Sequence, residues 1–177
     1  AVFVVVYISF MGYAGDRVTA WLHPELDPGD TGYQILQSLY AIGSGGLFGL
    51  GYGKSRQKYL YLPFQYNDYI FAVICEELGL VGAMAIVALF AVTILRGYWI
   101  ALNARDRFST VLAAGLVTLI AVQTILNLCV VTNLLPSTGI ALPFFSYGGT
   151  ALAVNLGEMG IVLGVSRGRN RRKIQEA

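Results

Sequence analysis

The sequence predicts an all-α protein that crosses a membrane several times, and two observations carry that reading. Hydrophobic residues make up 56% of the chain and charged ones only 12%, with a mean hydropathy of +0.63, which excludes an ordinary soluble domain. The charges are also segregated: none lies between Leu78 and Leu95, and none between Phe108 and Gly157. A helical span needs about 20 apolar residues, so these gaps have room for several crossings. The formal charge of +2 gives no basic footprint for a nucleic acid, and none is expected as a partner.

Residues 1–13 are apolar but too short for a span. They are expected to be the end of a helix that starts upstream, which would make the chain the C-terminal part of a longer protein. A secretory signal is disfavoured by the lack of a basic n-region and of an A-x-A site. Residues 14–68 form a large connection. Spans are expected at 69–95, 109–134 and 149–166, joined by 96–108 and 135–148 and followed by a tail at 167–177. Arg96, Arg105 and Arg107 lie in one connection, and Arg167, Arg169, Arg171, Arg172 and Lys173 lie in the tail. Placing these eight of the twelve cations on the cytoplasmic side follows the positive-inside bias and puts 14–68 outside.

The uncharged stretch from Gln34 to Gly53 is long enough to be a further span. That assignment would send the eight cations outside, and its glycines weaken a lone helix by up to about 1 kcal/mol each. It is read instead as an amphipathic or re-entrant element, tolerable where its backbone is buried in protein or meets water. Cys75 and Cys129 lack metal or disulfide spacing and read as buried small hydrophobes. The lone His23, beside Pro24, is given no role.

Asp68 stands at the head of a span, just after the basic cluster Lys54, Arg56 and Lys58. Capping is the simplest use of such a carboxylate, and chemistry on a membrane anion is the alternative. The cluster suits phosphate or an anionic headgroup, or else snorkels at the interface. GLGYGKS is not a nucleotide P-loop, because Phe48 stands where the pattern needs glycine. Glu76 and Glu77 follow Asp68 by two helical turns, about 12 Å along the axis. Adjacent residues diverge by about 100°, so one is expected to face a cavity and the other a neighbouring helix or water.

Gln123, Thr124 and Asn127, with Asn155 and Glu158, form polar patches inside spans, read as interhelical glue or a wet cavity. Glu158 is the most suspect of them because it is ionisable. The connection LLPSTGIALPFFSYGGT is expected to be a compact packed loop. Its Ser146 and Tyr147 can bind a ligand or serve as structural caps.

Three blocks, GYQILQSLYAIGSGGLFGLGYGKSRQKYLYLP, NDYIFAVICEELGLVGA and LLPSTGIALPFFSYGGTALAVNLGEMGIVLGVSR, resemble the C-terminal half of the SEDS proteins, the FtsW, RodA and SpoVE group. KSRQK looks more like the division and sporulation branch than the elongation branch. The resemblance implies a fold of about ten transmembrane helices, of which the chain would hold the last four, the first truncated, with a large extracytoplasmic loop. It also implies a multi-pass protein of the bacterial cytoplasmic membrane, its active side extracytoplasmic and its C-terminus cytoplasmic. The implied activity is peptidoglycan glycosyl transfer, polymerising lipid II and releasing undecaprenyl diphosphate, beside a class B penicillin-binding protein and other divisome proteins.

The family's essential aspartate falls on Asp68, and the glutamate of its EELG block falls on Glu76. Asp68 would then act as or position the base, while Lys54, Arg56 or Lys58 contact diphosphate, with Mg or Mn as a candidate divalent cation. Phe64, Asn67, Tyr69 and Ala141 depart from the family pattern, and Phe64 removes a carboxylate just before Asp68. A lipid-linked precursor flippase and a non-catalytic divisome scaffold are the alternatives.

Overall fold

The structure, a computed structural model, describes residues 15, 17–26, 31–55 and 68–175, with backbone alone at 31 and 169–175. Among these residues it is all helical. A short helical segment at 17–22 leads into a 3-10 turn, Pro24–Leu26. Four helices follow: α1 (Thr31–Ser44), α2 (Ile70–Leu102), α3 (Arg107–Val131) and α4 (Gly149–Gln175). Three of them, α2, α3 and the first 20 residues of α4, are long and apolar enough to cross a membrane.

α2 packs chiefly on α3, α1 lies against α2, and α4 closes onto α3. One buried cluster joins Ala41 of α1, Phe71, Ala72, Cys75, Ala83 and Phe90 of α2, and Val131 and Leu142 beyond them. A second, at the other end of the bundle, joins Ala101, Ala113, Val117 and Val162. Alanine is the commonest residue in the two clusters, as expected where helices in a bilayer gain from close van der Waals approach. Many other large apolar side chains, among them Leu89, Val92, Leu95, Val111 and Ile125, are exposed.

Helix α2 starts at Ile70, one residue after the expected start, and differs from expectation at its other end. The helix runs on through the expected connection at 96–108 as far as Leu102, leaving only 103–106 before α3. The polar end stays helical because its groups find local partners. The Arg96 guanidinium stands 5.1 Å from the Trp99 ring centroid, and Asn103 Nδ2 donates to the Trp99 carbonyl at 2.8 Å. Asp106 then caps α3 by accepting from the Ser109 amide at 3.0 Å. α4 likewise continues into the Arg-rich tail, whose residues are good helix formers.

Inside α2 the helix breaks at Gly79, with φ 67° and ψ −169°. An unbroken helix would bond the amides of Leu80 and Val81 to the carbonyls of Glu76 and Glu77. Instead those amides donate to Gly46 and Leu47 at 2.9 and 3.2 Å, while the freed carbonyls accept from Leu50 and Gly51 at 2.9 and 3.0 Å. The glycine-rich turn after α1 therefore replaces all four lost partners, which is what an apolar environment demands of non-helical backbone. The stretch from Gln34 to Gly53 is thus half helix and half backbone plug. The plug can approach because a Cβ at Gly45 would collide with the Cys75 carbonyl oxygen.

Gly79→Ala is expected to destabilise the protein by about 2 kcal/mol or more, from a left-handed φ plus a collision with the Gly49 amide. Gly164→Ala, in open space on α4, should be neutral or stabilising by up to about 1 kcal/mol. Thermal unfolding of the purified full-length protein in detergent reads both, and equal melting temperatures for the two variants would contradict the plug.

Candidate functional site

Asp68 lies where three parts of the chain converge: the start of α2, the C-terminal end of α3 and the connection 133–148. The junction is made by Asn127, 1% exposed, whose Nδ2 donates to the Asp68 carbonyl and to the Ile140 carbonyl, each at 2.8 Å. The patch read as interhelical glue thus has one member with a more particular task. Thr124 turns back on its own helix, bonding the Ile120 carbonyl at 2.8 Å. Gly139, with φ 70°, brings its Cα beside the aspartate, so that a Cβ built there would stand 3.6 Å from Asp68 Oδ2.

Tyr69, not Asp68, is the N-cap residue of α2, and it makes no side-chain capping bond. The Asp68 carboxyl is therefore not committed to capping. It is half-buried, and burial raises its pKa above the ordinary carboxylate value, while the positive charge of Arg17 pulls the other way. Beside it, burial and the charge of Asp68 push the Tyr69 phenol up to about 12, against the same pull from Arg17.

Arg17 was not among the residues picked from sequence. Its Nη1 donates to the Ser137 carbonyl at 2.7 Å, and Trp21 of the same segment donates to the Asn133 carbonyl at 2.9 Å. Segment 17–22 is thereby strapped across the connection that flanks Asp68. One signal was available: Arg17 is the only Lys or Arg before Lys54, placed in a connection where cations are disfavoured.

The other candidates divide. Glu76, 1% exposed, accepts a hydrogen bond at Oε2 from the hydroxyl of Ser55, itself 1% exposed. Glu77 is also buried, and its Oε1 has no hydrogen-bond partner among the described residues. Lys54 is exposed, one residue before Ser55. Arg56, Lys58, Phe64 and Asn67 lie outside the described residues. Ser146 is used within its own turn, its Oγ accepting from the Leu142 amide at 2.7 Å. Tyr147 is 82% exposed.

Glu158, Gln123 and Asn155 line an open, mostly apolar cavity of about 590 Å³ between α3 and α4, where Glu158 Oε2 has no hydrogen-bond partner among the described residues. No three of His, Cys, Asp or Glu come together among the described residues.

An all-helical bundle with at least three membrane-crossing helices, carrying an uncommitted carboxylate at the head of one of them, defines a multi-pass membrane protein with an ionisable site. A profile of the FtsW/RodA/SpoVE cell cycle proteins matches residues 1–171, and the chain belongs to that family. It is 50% identical over 155 residues to stage V sporulation protein E of Bacillus subtilis, covering 88% of this chain and 42% of that protein. It is 45% identical over 166 residues to a probable peptidoglycan glycosyltransferase FtsW of Trichlorobacter lovleyi, covering 94% of this chain and 44% of that protein. Among solved structures, a chain from a peptidoglycan synthase complex, described for its coordination of polymerisation and crosslinking, superposes with a TM-score of 0.73 at 29% identity. That match covers 95% of this chain and 46% of the other. The chain thus spans less than half the length of the curated relatives it matches.

Asn127→Ala should destabilise the protein by about 2–4 kcal/mol, since two carbonyls lose their donor; denaturation of the full-length protein measures it. Because burial holds the Asp68 pKa above its unfolded value, Asp68 favours the folded state at low pH, and that contribution is lost as pH rises through the folded pKa. Arg17→Gln removes the opposing charge, so the Asp68 pKa should move further up. Titration of the Asp68 carboxyl by infrared difference spectroscopy reads the direction.

Proposed function

We propose that the full-length protein is a peptidoglycan glycosyltransferase that polymerises lipid II into glycan strands and releases undecaprenyl diphosphate. The observation that carries this reading is the uncommitted Asp68 carboxyl, held in place by its own backbone through Asn127 and left accessible at the head of α2. A base that takes a proton from an acceptor sugar hydroxyl gains strength as its pKa rises toward the working pH, and burial moves Asp68 that way. Arg17 limits the shift. In the same reading, Lys54, Arg56 and Lys58 offset the charge on the departing diphosphate.

Family membership and the names of the relatives support the reaction class. The positive-inside bias supports a bacterial cytoplasmic membrane protein with Asp68 facing outward and the C-terminus inside. The likeness to a synthase complex supports a class B penicillin-binding protein as the partner that crosslinks the strands.

Asp68→Asn keeps the size of the side chain and removes the base. In full-length protein assembled with its partner, lipid II polymerisation should fall by at least about a hundredfold while the melting temperature holds. Glycan formation by the variant near the wild-type rate would sink the assignment. Movement of lipid II across vesicles by the wild-type protein, without polymer, would favour a transporter instead.

A further inference from the structure

The plug that mends the break in α2 has a second side. Its carbonyls at Gly46 and Leu47 and its amides at Leu50 and Gly51 turn toward α2, and the Gly49 amide turns back to the Gly45 carbonyl at 2.8 Å. With these backbone groups paired, and with glycine at 45, 46, 49, 51 and 53, the turn presents outward the few side chains that stand between the glycines. Leu47 is exposed, Phe48 is 80% exposed and Tyr52 is 88% exposed. We propose that the tip of the plug is a membrane-contact site, with Leu47 and Phe48 seated at the acyl boundary of the nearer leaflet and Tyr52 among its headgroups.

Three observations select lipid as the occupant of this face. First, the chain is apolar at Leu47 and Phe48, amphipathic at Tyr52 and cationic at Lys54, whose side chain is exposed. That is the order of a bilayer interface, where hydrocarbon gives way to the level that favours tyrosine rings and then to phosphates that attract lysine. Second, the face is continuous with that of a membrane-crossing helix. The amides of Leu80 and Val81 bond to the plug while their side chains are exposed, as is that of Leu78 just before the break. Third, the depth agrees. Gly79 precedes Trp99, the aromatic partner of Arg96, by 20 residues, and a helix of that length crosses about 30 Å, the thickness of the hydrocarbon layer.

A tip seated in this way holds the plug from outside. Lifting it from the bilayer returns Leu47 and Phe48 to water, so lipid presses the turn onto the break while the backbone bonds draw it in from the other side.

The test uses the full-length protein in nanodiscs of phosphatidylethanolamine and phosphatidylglycerol, with the photoreactive p-benzoylphenylalanine in place of Phe48. On illumination, the principal adduct read by mass spectrometry should be a phospholipid joined through its acyl chain. In parallel, the emission that Phe48→Trp adds to that of the wild type should be quenched by acyl-brominated phospholipid and little by iodide in the water. Adducts to a peptide of the same protein, to a second copy or to a copurified transpeptidase would overturn the proposal, as would the lack of any adduct, or quenching by iodide or by neither agent. Phe48→Leu should keep the wild-type melting temperature in nanodiscs, and Phe48→Asp should lower it; equal values for the two variants would contradict the anchoring.

Discussion

A single side-chain amide, that of Asn127, donates both of its hydrogens to carbonyls from different parts of the chain, and the placement of Asp68 depends on that fork. One arm fixes the residue that opens α2, and the other fixes the connection leading to α4. Because the amide is buried, no water can substitute for either bond. Helix α3 packs along α2 below this point, so the fork converts helix packing into the position of one carboxyl group. Arg17 and Gly139 then approach that carboxyl from parts of the sequence that α3 has already brought near.

The break at Gly79 follows the same physical rule by another route. Four backbone groups lose their helical partners there, and four groups of the glycine-rich turn take them up. The exchange commits the chain between α1 and Ser55 to one register against α2. Asn127 and the plug are therefore two clamps on the same helix, one at its start and one two turns further on. Residues that belong to neither clamp, such as Ser146, serve the local turn in which they lie.

Helices were legible in the sequence because apolar runs and segregated charge are properties of single segments. The glycine-rich stretch was set apart from the spans because placing it as one would have inverted the charge bias, and it is not one continuous helix. Helix ends were less so: the turns that extend α2 past Arg96 depend on Arg96 meeting Trp99 and on Asn103 folding back, which hydropathy does not register. Asp68 was singled out correctly as a carboxylate at a helix head, but that Tyr69 would be the cap depends on backbone geometry. Arg17 escaped notice because its partner Ser137 lies 120 residues away. Ser55 escaped because a serine beside three cations draws the eye to the charges.

The cation–π pair of Arg96 and Trp99 has a consequence for depth. Such pairs mark the level where a helix leaves the hydrocarbon, and a layer of about 30 Å is crossed in about 20 helical residues. Counting back from Arg96 by that length reaches Glu76. By that count the break, the plug and the Ser55 hydroxyl would fall at the opposite lip of the oily layer, with Asp68 beyond it in the headgroup zone. α2 would in this sense be a depth gauge: the anchor at one end would set the height of the carboxyl that precedes the other, at the level where a lipid carries its phosphates and not its tail.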